Sequence, residues 1–319
     1  MLPGCRFQDA DVALYEAKRL GKGRQLLYTP AMRQRAVSRF ALAQELDHSL
    51  HSGELSMHYQ PIVKLSSARV ELTTKGIVGF EALTRWQHPE RGQVPPDVFI
   101  PLAEQSDLIF QLGSFALKNA IIDASSWGPI GASATLPYVT VNLSARQFHD
   151  PDLMSMIKSL LATNGVAPER LILEITESVV LADVVGAKSV IQHLDRLGVT
   201  IALDDFGTGY SSLSYLALLR PCIIKIDRSF VSPSAASARN DTLLEAIVSL
   251  GQKLNMTVLA EGIETQAQLE LLRHLGCELG QGYLFSPAVP ACEVAAMLGQ
   301  TSRRRPQRLA PTAADPPPG

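Results

Sequence analysis

Eight short runs of β-forming residues, most of the later ones separated by helical stretches, constrain this chain more than any other feature. The runs are Leu55–Val63, Ile77–Leu83, Tyr138–Leu143, Leu171–Ile175, Val199–Leu203, Cys222–Ile226, Thr257–Ala260 and Gly282–Phe285. The stretches Asp107–Trp127, Asp152–Asn164, Ala182–Leu197, Asp241–Leu254 and Thr265–Leu275 carry apolar residues at three-to-four spacing, as a helix with one buried face does. Strands alternating with helices imply a mostly parallel sheet. Eight of them over about 230 residues predict an α/β fold that closes, an irregular (β/α)8 TIM-like barrel rather than an open sheet. No helical pattern separates the first two runs. They are expected to pair antiparallel, which gives the barrel one antiparallel strand.

Composition narrows the class. Apolar residues are 46% and charged residues 19%, ordinary globular values that exclude wholesale disorder. The net charge of −2 gives no strongly basic face for a nucleic-acid duplex. Cys5, Cys222, Cys277 and Cys292 are scattered without a C-x-x-C, which fits a reducing, cytoplasmic setting better than a disulfide framework or structural zinc. No run of 18 apolar residues is present, so no membrane contact is expected from this chain, although a longer parent protein could be membrane-anchored. The start, Met1–Phe7, lacks a secretory pattern. Three regions follow: 1–39, short, basic and helical in pattern; 40–299, the barrel; and 300–319, rich in Pro and Arg and expected to be disordered.

The chemistry gathers where the runs end. Glu81 closes the second run and Asn142 the third; Glu174 closes the fourth, and Asp204-Asp205 follow the fifth. Lys225 lies in the sixth, and Glu261 follows the seventh. In a barrel these ends converge on the catalytic face. Carboxylates crowded into one cavity cost stability unless protonated or neutralised by cations. A single acid of this kind could merely cap the next helix. The repetition from strand to strand argues for one shared site.

The candidate ligands are five carboxylates and one amide oxygen, and the histidines show no metal-ligand spacing. An all-oxygen set points to Mg²⁺ or Mn²⁺ rather than zinc. An adjacent pair such as Asp204-Asp205 can divide its oxygens between two ions, which suits in-line attack on a phosphodiester. Calcium, larger and tolerant of looser geometry, would fill such a site without placing water correctly and so inhibit. Lys225 could hold a nucleophilic water or offset phosphate charge. Asp205-Phe206-Gly207 by itself invites a kinase reading, but no Gly-rich loop, strand lysine or H-R-D accompanies it. Gly207-Thr208-Gly209-Tyr210-Ser211-Ser212 reads as a mobile loop beside the acid pair.

These motifs resemble the EAL-domain family of cyclic di-GMP phosphodiesterases. The matching segments are Tyr59-Gln60-Pro61-Ile62, Glu81-Ala82-Leu83-Thr84-Arg85-Trp86, Val141-Asn142-Leu143-Ser144, Glu174-Ile175-Thr176-Glu177, the Asp204–Leu213 segment, Lys225-Ile226-Asp227-Arg228, Glu261-Gly262-Ile263-Glu264 and Gln281-Gly282-Tyr283. Each alone is weak; in this order they are specific. The resemblance implies Glu81, Asn142, Glu174 and Asp204 as ligands of a first ion, and Asp204, Asp205 and Glu261 as ligands of a second. It implies that Lys225 orients the attacking water, and that Gln60, Leu83, Arg85 and Gln281 hold the nucleotide. Glu177 and the loop through Phe206, Gly207, Thr208 and Gly209 would couple a homodimer interface to metal binding. The implied reaction opens one phosphodiester of cyclic di-GMP to give linear pGpG; Glu261 and a metal-bound hydroxide are both candidates for the water proton.

Two further features qualify the resemblance. Glu71–Ile77 is an apparent insertion in the turn joining the first two strands, expected to be a harmless longer hairpin. Residues 6–28, with Asp9–Lys18 and Gly21-Lys22-Gly23-Arg24, resemble the end of a GGDEF diguanylate cyclase domain without its signature loop or acids. The competing function is an inactive EAL module that binds cyclic di-GMP as a sensor. Such modules typically lose a ligand or the lysine, and every such position is filled here.

Overall fold

A computed structural model describes residues 9, 10, 12–14, 17, 25–65, 76–130, 135–207, 216, 223–232 and 237–299. The Glu71–Lys75 part of the insertion, Thr208, Gly209 and the 300–319 tail lie outside them.

Strands β1 (Leu55–Lys64) and β2 (Ile77–His88) form the expected antiparallel pair, in register from Leu55 opposite Trp86 to Ile62 opposite Gly79. From β2 the sheet runs parallel through β4 (Tyr138–Asn142), β5 (Leu171–Thr176), β6 (Thr200–Phe206), β7 (Ile223–Ile226), β8 (Thr257–Ala260) and β9 (Leu279–Gly280). β9 pairs antiparallel with β1 and closes the barrel. The eight-stranded mixed barrel and its single antiparallel strand are as the sequence predicted. Short strands β3 (Gly92–Val94) and β10 (Val289–Pro290) add to β2 and β1 outside the closed ring.

Three elements differ from the pattern reading. The last strand is Leu279–Gly280, not Gly282–Phe285, which is a turn. A Cβ on Gly282 would lie 2.2 Å from the Ile263 carbonyl oxygen, so the backbones touch there and the chain bends. The apolar look of that run comes from Phe285, which fills the core at the foot of the turn. Second, β2 continues past Glu81 to His88, so Glu81 sits mid-strand, one residue before the parallel ladder to β4 ends at Ala82. Third, the helix expected over Ala182–Leu197 starts at Val184, capped by Asp183, whose carboxylate accepts from Gly186 N at 2.9 Å, and a short helix, Glu177–Ala182, precedes it.

The other helices follow their periodicity: Leu108–Ser125, Leu153–Asn164, Ser237–Lys253 and Gln266–His274. Left-handed glycines end Leu153–Asn164 at Gly165 and Val184–Leu197 at Gly198. The helix Pro30–Ser52 spans the 39/40 boundary without a break. Its second half docks on β2, where Trp86 Nε1 donates to Ser49 Oγ at 2.9 Å and His88 Nε2 meets Glu45 at 3.2 Å. No helix among the described residues is long and apolar enough to cross a membrane.

The core has an outer shell between helices and sheet and a small cluster inside the ring: Ile62, Ile172, Ala202, Ile223, Leu259 and Leu279. The inner cluster is the floor on which the site is built.

Candidate active site

Side chains of a strand alternate between faces, so a residue two positions beyond an inward one also points inward. On four consecutive strands the position two beyond a floor residue is charged. Ile172 leads to Glu174, Ala202 to Asp204, Ile223 to Lys225 and Leu259 to Glu261. Glu81 joins them from β2, and Asn142, register partner of Glu174, from β4. An apolar layer therefore carries a charged layer at the carboxyl ends of the parallel strands.

Lys225 is the hub, 1% exposed. Its Nζ lies 2.6 Å from Glu174 Oε2, 2.6 Å from Glu261 Oε1, 3.3 Å from Asp204 Oδ1 and 3.6 Å from Glu81 Oε1. Burial works against the ammonium, but Glu174, Glu81, Glu261 and Asp204 together outweigh it and hold Lys225 well above the ordinary lysine range. One cation faces four acids, and the acids divide. Burial and the neighbouring Glu81 push Glu174 well above the carboxylate range, with Lys225 opposing. Burial, with Asp204 and Glu81, raises Glu261 to about 7, again against Lys225. Glu81 is equally buried yet lies below its ordinary value, because Lys225, Gln281 and Asn142 outweigh the burial.

Adjacent residues on a regular strand face opposite sides, so Asp204 and Asp205 need a departure from regularity to serve one site. The structure supplies it. Leu203 and Phe206 of β6 face Ile224 and Ile226 of β7, three steps against two, and Asp205 takes the left-handed conformation at φ 55°. Burial, Asp204 and Asp227 raise the Asp205 carboxyl. Phe206 is buried behind the pair, and Gly207 N donates to Glu177 Oε2 at 3.4 Å. Glu177 is itself buried, and its Oε1 has no partner. Glu177 thus contacts the chain just after the acid pair at Gly207.

The four residues expected to hold a nucleotide fall in two places. Leu83 and Arg85 stand half-buried on β2 beyond Glu81, and Arg85 Nη1 donates to Thr84 O at 3.2 Å. Gln60 and Gln281 lie deeper and are tied to Glu81: Gln281 donates to Glu81 and, at 3.0 Å, to Gln60. Three residues were not singled out by the sequence. Tyr283, 71% exposed, acts electrostatically on Arg85. Tyr138 and Thr140, inward on β4, bury hydroxyls without partners. Tyr283 stands within a recognised motif; the other two carried no signal beyond strand alternation.

Among the described residues, no three His, Cys, Asp or Glu side chains close on a metal ion as they stand; the acids gather on the Lys225 ammonium. The donors nevertheless suit a hard cation. All are oxygens, acid outnumbers base, and Glu174 Oε1 is buried without a partner. Asn142 Nδ2 donates to Glu81 Oε1 at 2.8 Å, which leaves the amide oxygen as the atom an ion could use.

The structure is thus a closed barrel bearing a carboxylate-rich layer at its strand ends, and comparison supplies the family. The model described as "EAL domain" matches residues 43–288, and the chain belongs to that family. It is 38% identical over 284 residues to the bifunctional diguanylate cyclase/cyclic di-GMP phosphodiesterase MucR of Pseudomonas aeruginosa, covering 89% of this chain and 40% of MucR. An uncharacterized signaling protein of Caulobacter vibrioides is 40% identical over 304 residues, covering 95% of this chain and 36% of that protein. The chain thus spans about two fifths or less of the length of these relatives. Among solved structures, the PaMucR phosphodiesterase in its c-di-GMP complex superposes with a TM-score of 0.73 at 39% identity, covering 80% of this chain and 99% of that one.

Proposed function

We propose that this chain is a metal-dependent phosphodiesterase that hydrolyses cyclic di-GMP to linear pGpG. The observation that carries the reading is the charged layer itself: every position of the expected ligand set is filled, and the described side chains converge at the catalytic end of the barrel. The family and the named activity of MucR support it.

Glu81, Asn142, Glu174 and Asp204 would hold one Mg²⁺ or Mn²⁺, and Asp204, Asp205 and Glu261 a second. Bound there, such ions neutralise phosphate charge and make water a stronger nucleophile. The chain's own residues do the rest. Leu83 and Arg85, beside exposed Tyr283, receive the nucleotide at the mouth. Lys225 orients the attacking water. Glu261 would accept the proton of the attacking water at a carboxylate oxygen not engaged by an ion. Water adds to phosphorus, the bond from phosphorus to the 3′ oxygen breaks, that oxygen takes up a proton from solvent, and the product carries a 5′ phosphate and a 3′ hydroxyl. A homodimer through the face beside Glu177 is supported by the exposed apolar side chains of Leu181 and Val185. Residues 1–39 contribute no cyclase chemistry in this reading.

The experiment is incubation of the purified chain with Mg²⁺ or Mn²⁺ and cyclic di-GMP, with the nucleotides resolved by chromatography. The expected result is pGpG, abolished by chelator and suppressed by Ca²⁺. Binding of cyclic di-GMP without turnover would overturn the enzyme reading in favour of a sensor module. Full turnover in excess chelator would overturn the metal.

A further inference from the structure

The Glu81 carboxylate is gripped by amides on both oxygens. Asn142 Nδ2 donates to Oε1 at 2.8 Å, and Gln281 Nε2 donates to Oε2. The same Gln281 nitrogen donates to Gln60 Oε1 at 3.0 Å, and Gln60 Nε2 donates to the Ser286 carbonyl at 3.1 Å. A chain of amides thus runs from the turn after β9, through two glutamines, to a carboxylate on β2. Its backbone is fixed at each link. Gln60 is the cross-strand partner of Glu81. Gln281 follows β9 directly, with its N–H on Ala260 O at 2.9 Å and its carbonyl accepting from Ile263 N at 3.1 Å. All three side chains are buried.

A primary amide nitrogen carries two hydrogens. Both of Gln281's are committed to protein acceptors. Its Oε1 is buried with no partner, so only that acceptor remains for anything else. The other acids of the layer are held differently: Glu174 and Glu261 each face Lys225 Nζ at 2.6 Å. A cation entering the layer competes with Lys225 for those two oxygens. Glu81 lies farther from that ammonium, at 3.6 Å, and is held by Asn142 and Gln281, the latter backed by Gln60.

We propose that Gln281, backed by Gln60, is a positioning residue for Glu81, fixing the carboxylate's orientation so that a divalent cation meets a ligand already in place. The inference rests on the metal-dependent reading above. It assigns the glutamine pair to cation affinity first and to nucleotide binding only secondarily. Outer partners of this kind typically change metal affinity by about 10–100-fold.

The test is Mn²⁺ titration of the nucleotide-free chain, read by electron paramagnetic resonance of free Mn²⁺, for wild type, Gln281→Leu and Gln60→Leu. Thermal midpoints, and kcat and KM for cyclic di-GMP at saturating Mn²⁺, are measured on the same proteins. Gln281→Leu should weaken Mn²⁺ binding by about 10-fold or more, and Gln60→Leu by less in the same direction. KM at saturating Mn²⁺ should rise by less than the Mn²⁺ dissociation constant does. Unchanged Mn²⁺ affinity with a raised KM would make Gln281 a nucleotide contact and overturn the proposal. A lowered thermal midpoint with unchanged Mn²⁺ affinity would make the clamp merely structural and overturn it too. If Gln281→Leu does not fold, Gln60→Leu, which leaves the Gln281–Glu81 contact in place, decides alone. Wild-type protein that binds no Mn²⁺ would sink the metal reading itself, an outcome visible before any variant is compared.

Discussion

Glu81 and Lys225 share one charged layer, yet their removal should have different consequences. Glu81→Ala deletes a proposed ion ligand and should cut turnover by on the order of 10³-fold or more. It also strands the buried donor of Gln281, at about 1–3 kcal/mol, while relieving repulsion of Glu174. The net stability change should therefore be small, and the checks are turnover and thermal midpoint on the same preparation. Near-normal turnover, or loss only through unfolding, would refute the ligand assignment. Lys225→Ala leaves four acids facing one another and should cost about 3–5 kcal/mol without cation, since the partners of a broken buried pair go unpaired. It should still bind Mn²⁺, which should raise its thermal midpoint more than that of wild type. An equal rise in both proteins would deny that Lys225 and the cation serve the same acids. At this scale the acids and the lysine were legible, because each lies within or just after an apolar β-forming run. The amide grip on Glu81 was not, since Gln281 reaches Gln60 and Glu81 only through barrel closure. The unpartnered hydroxyls of Tyr138 and Thr140 also escaped, being scored as ordinary strand residues.

At the scale of elements, alternation and spacing located most strands within one or two residues, and failed where backbone contact overrides side-chain pattern. The final strand is the clearest case. Gly282 abuts Ile263 and turns the chain, while β9 is only two residues long and has no pattern to detect. The bulge in β6 is another: no periodicity announces that Asp205 will adopt a left-handed backbone, although Asp tolerates it better than most residues. Gly79 tests the same logic. It faces inward as the register partner of Tyr138, and a Cβ there would lie 2.4 Å from the tyrosine ring. Gly79→Ala should overpack the barrel and cost about 1–3 kcal/mol, measured as a fall in urea midpoint. Combining it with Tyr138→Ala, which removes the ring, should make the added methyl nearly neutral against the Tyr138→Ala background. An equal cost in both backgrounds would place the strain elsewhere.

For the molecule as a whole, the barrel holds an excess of acid that folding alone does not neutralise, and its stability should record that. Glu261 titrates near 7 in the folded chain against an ordinary 4.5, because burial and the neighbouring acids disfavour its charge. The folded state therefore keeps a proton that the unfolded chain releases. This contribution to stability is fully present below about pH 4.5 and is lost as pH rises through about 7. With the side chain 20% exposed, the loss is on the order of 2 kcal/mol rather than the full value of the shift. Glu261→Gln has no such proton to lose. In chelator, its thermal midpoint relative to wild type should climb by several degrees between pH 4.5 and pH 7.5. Saturating Mn²⁺ should shrink the climb, because a cation stabilises the ionised carboxylate of the wild-type chain and holds its titration down. The measurement is a set of paired melts of the two proteins across that pH range, with and without Mn²⁺. A difference that stays flat in chelator would show that Glu261 is ionised throughout and that Lys225 alone balances the layer. A climb that Mn²⁺ leaves untouched would show that the cation does not reach Glu261, and would remove this residue from the proposed second ion site.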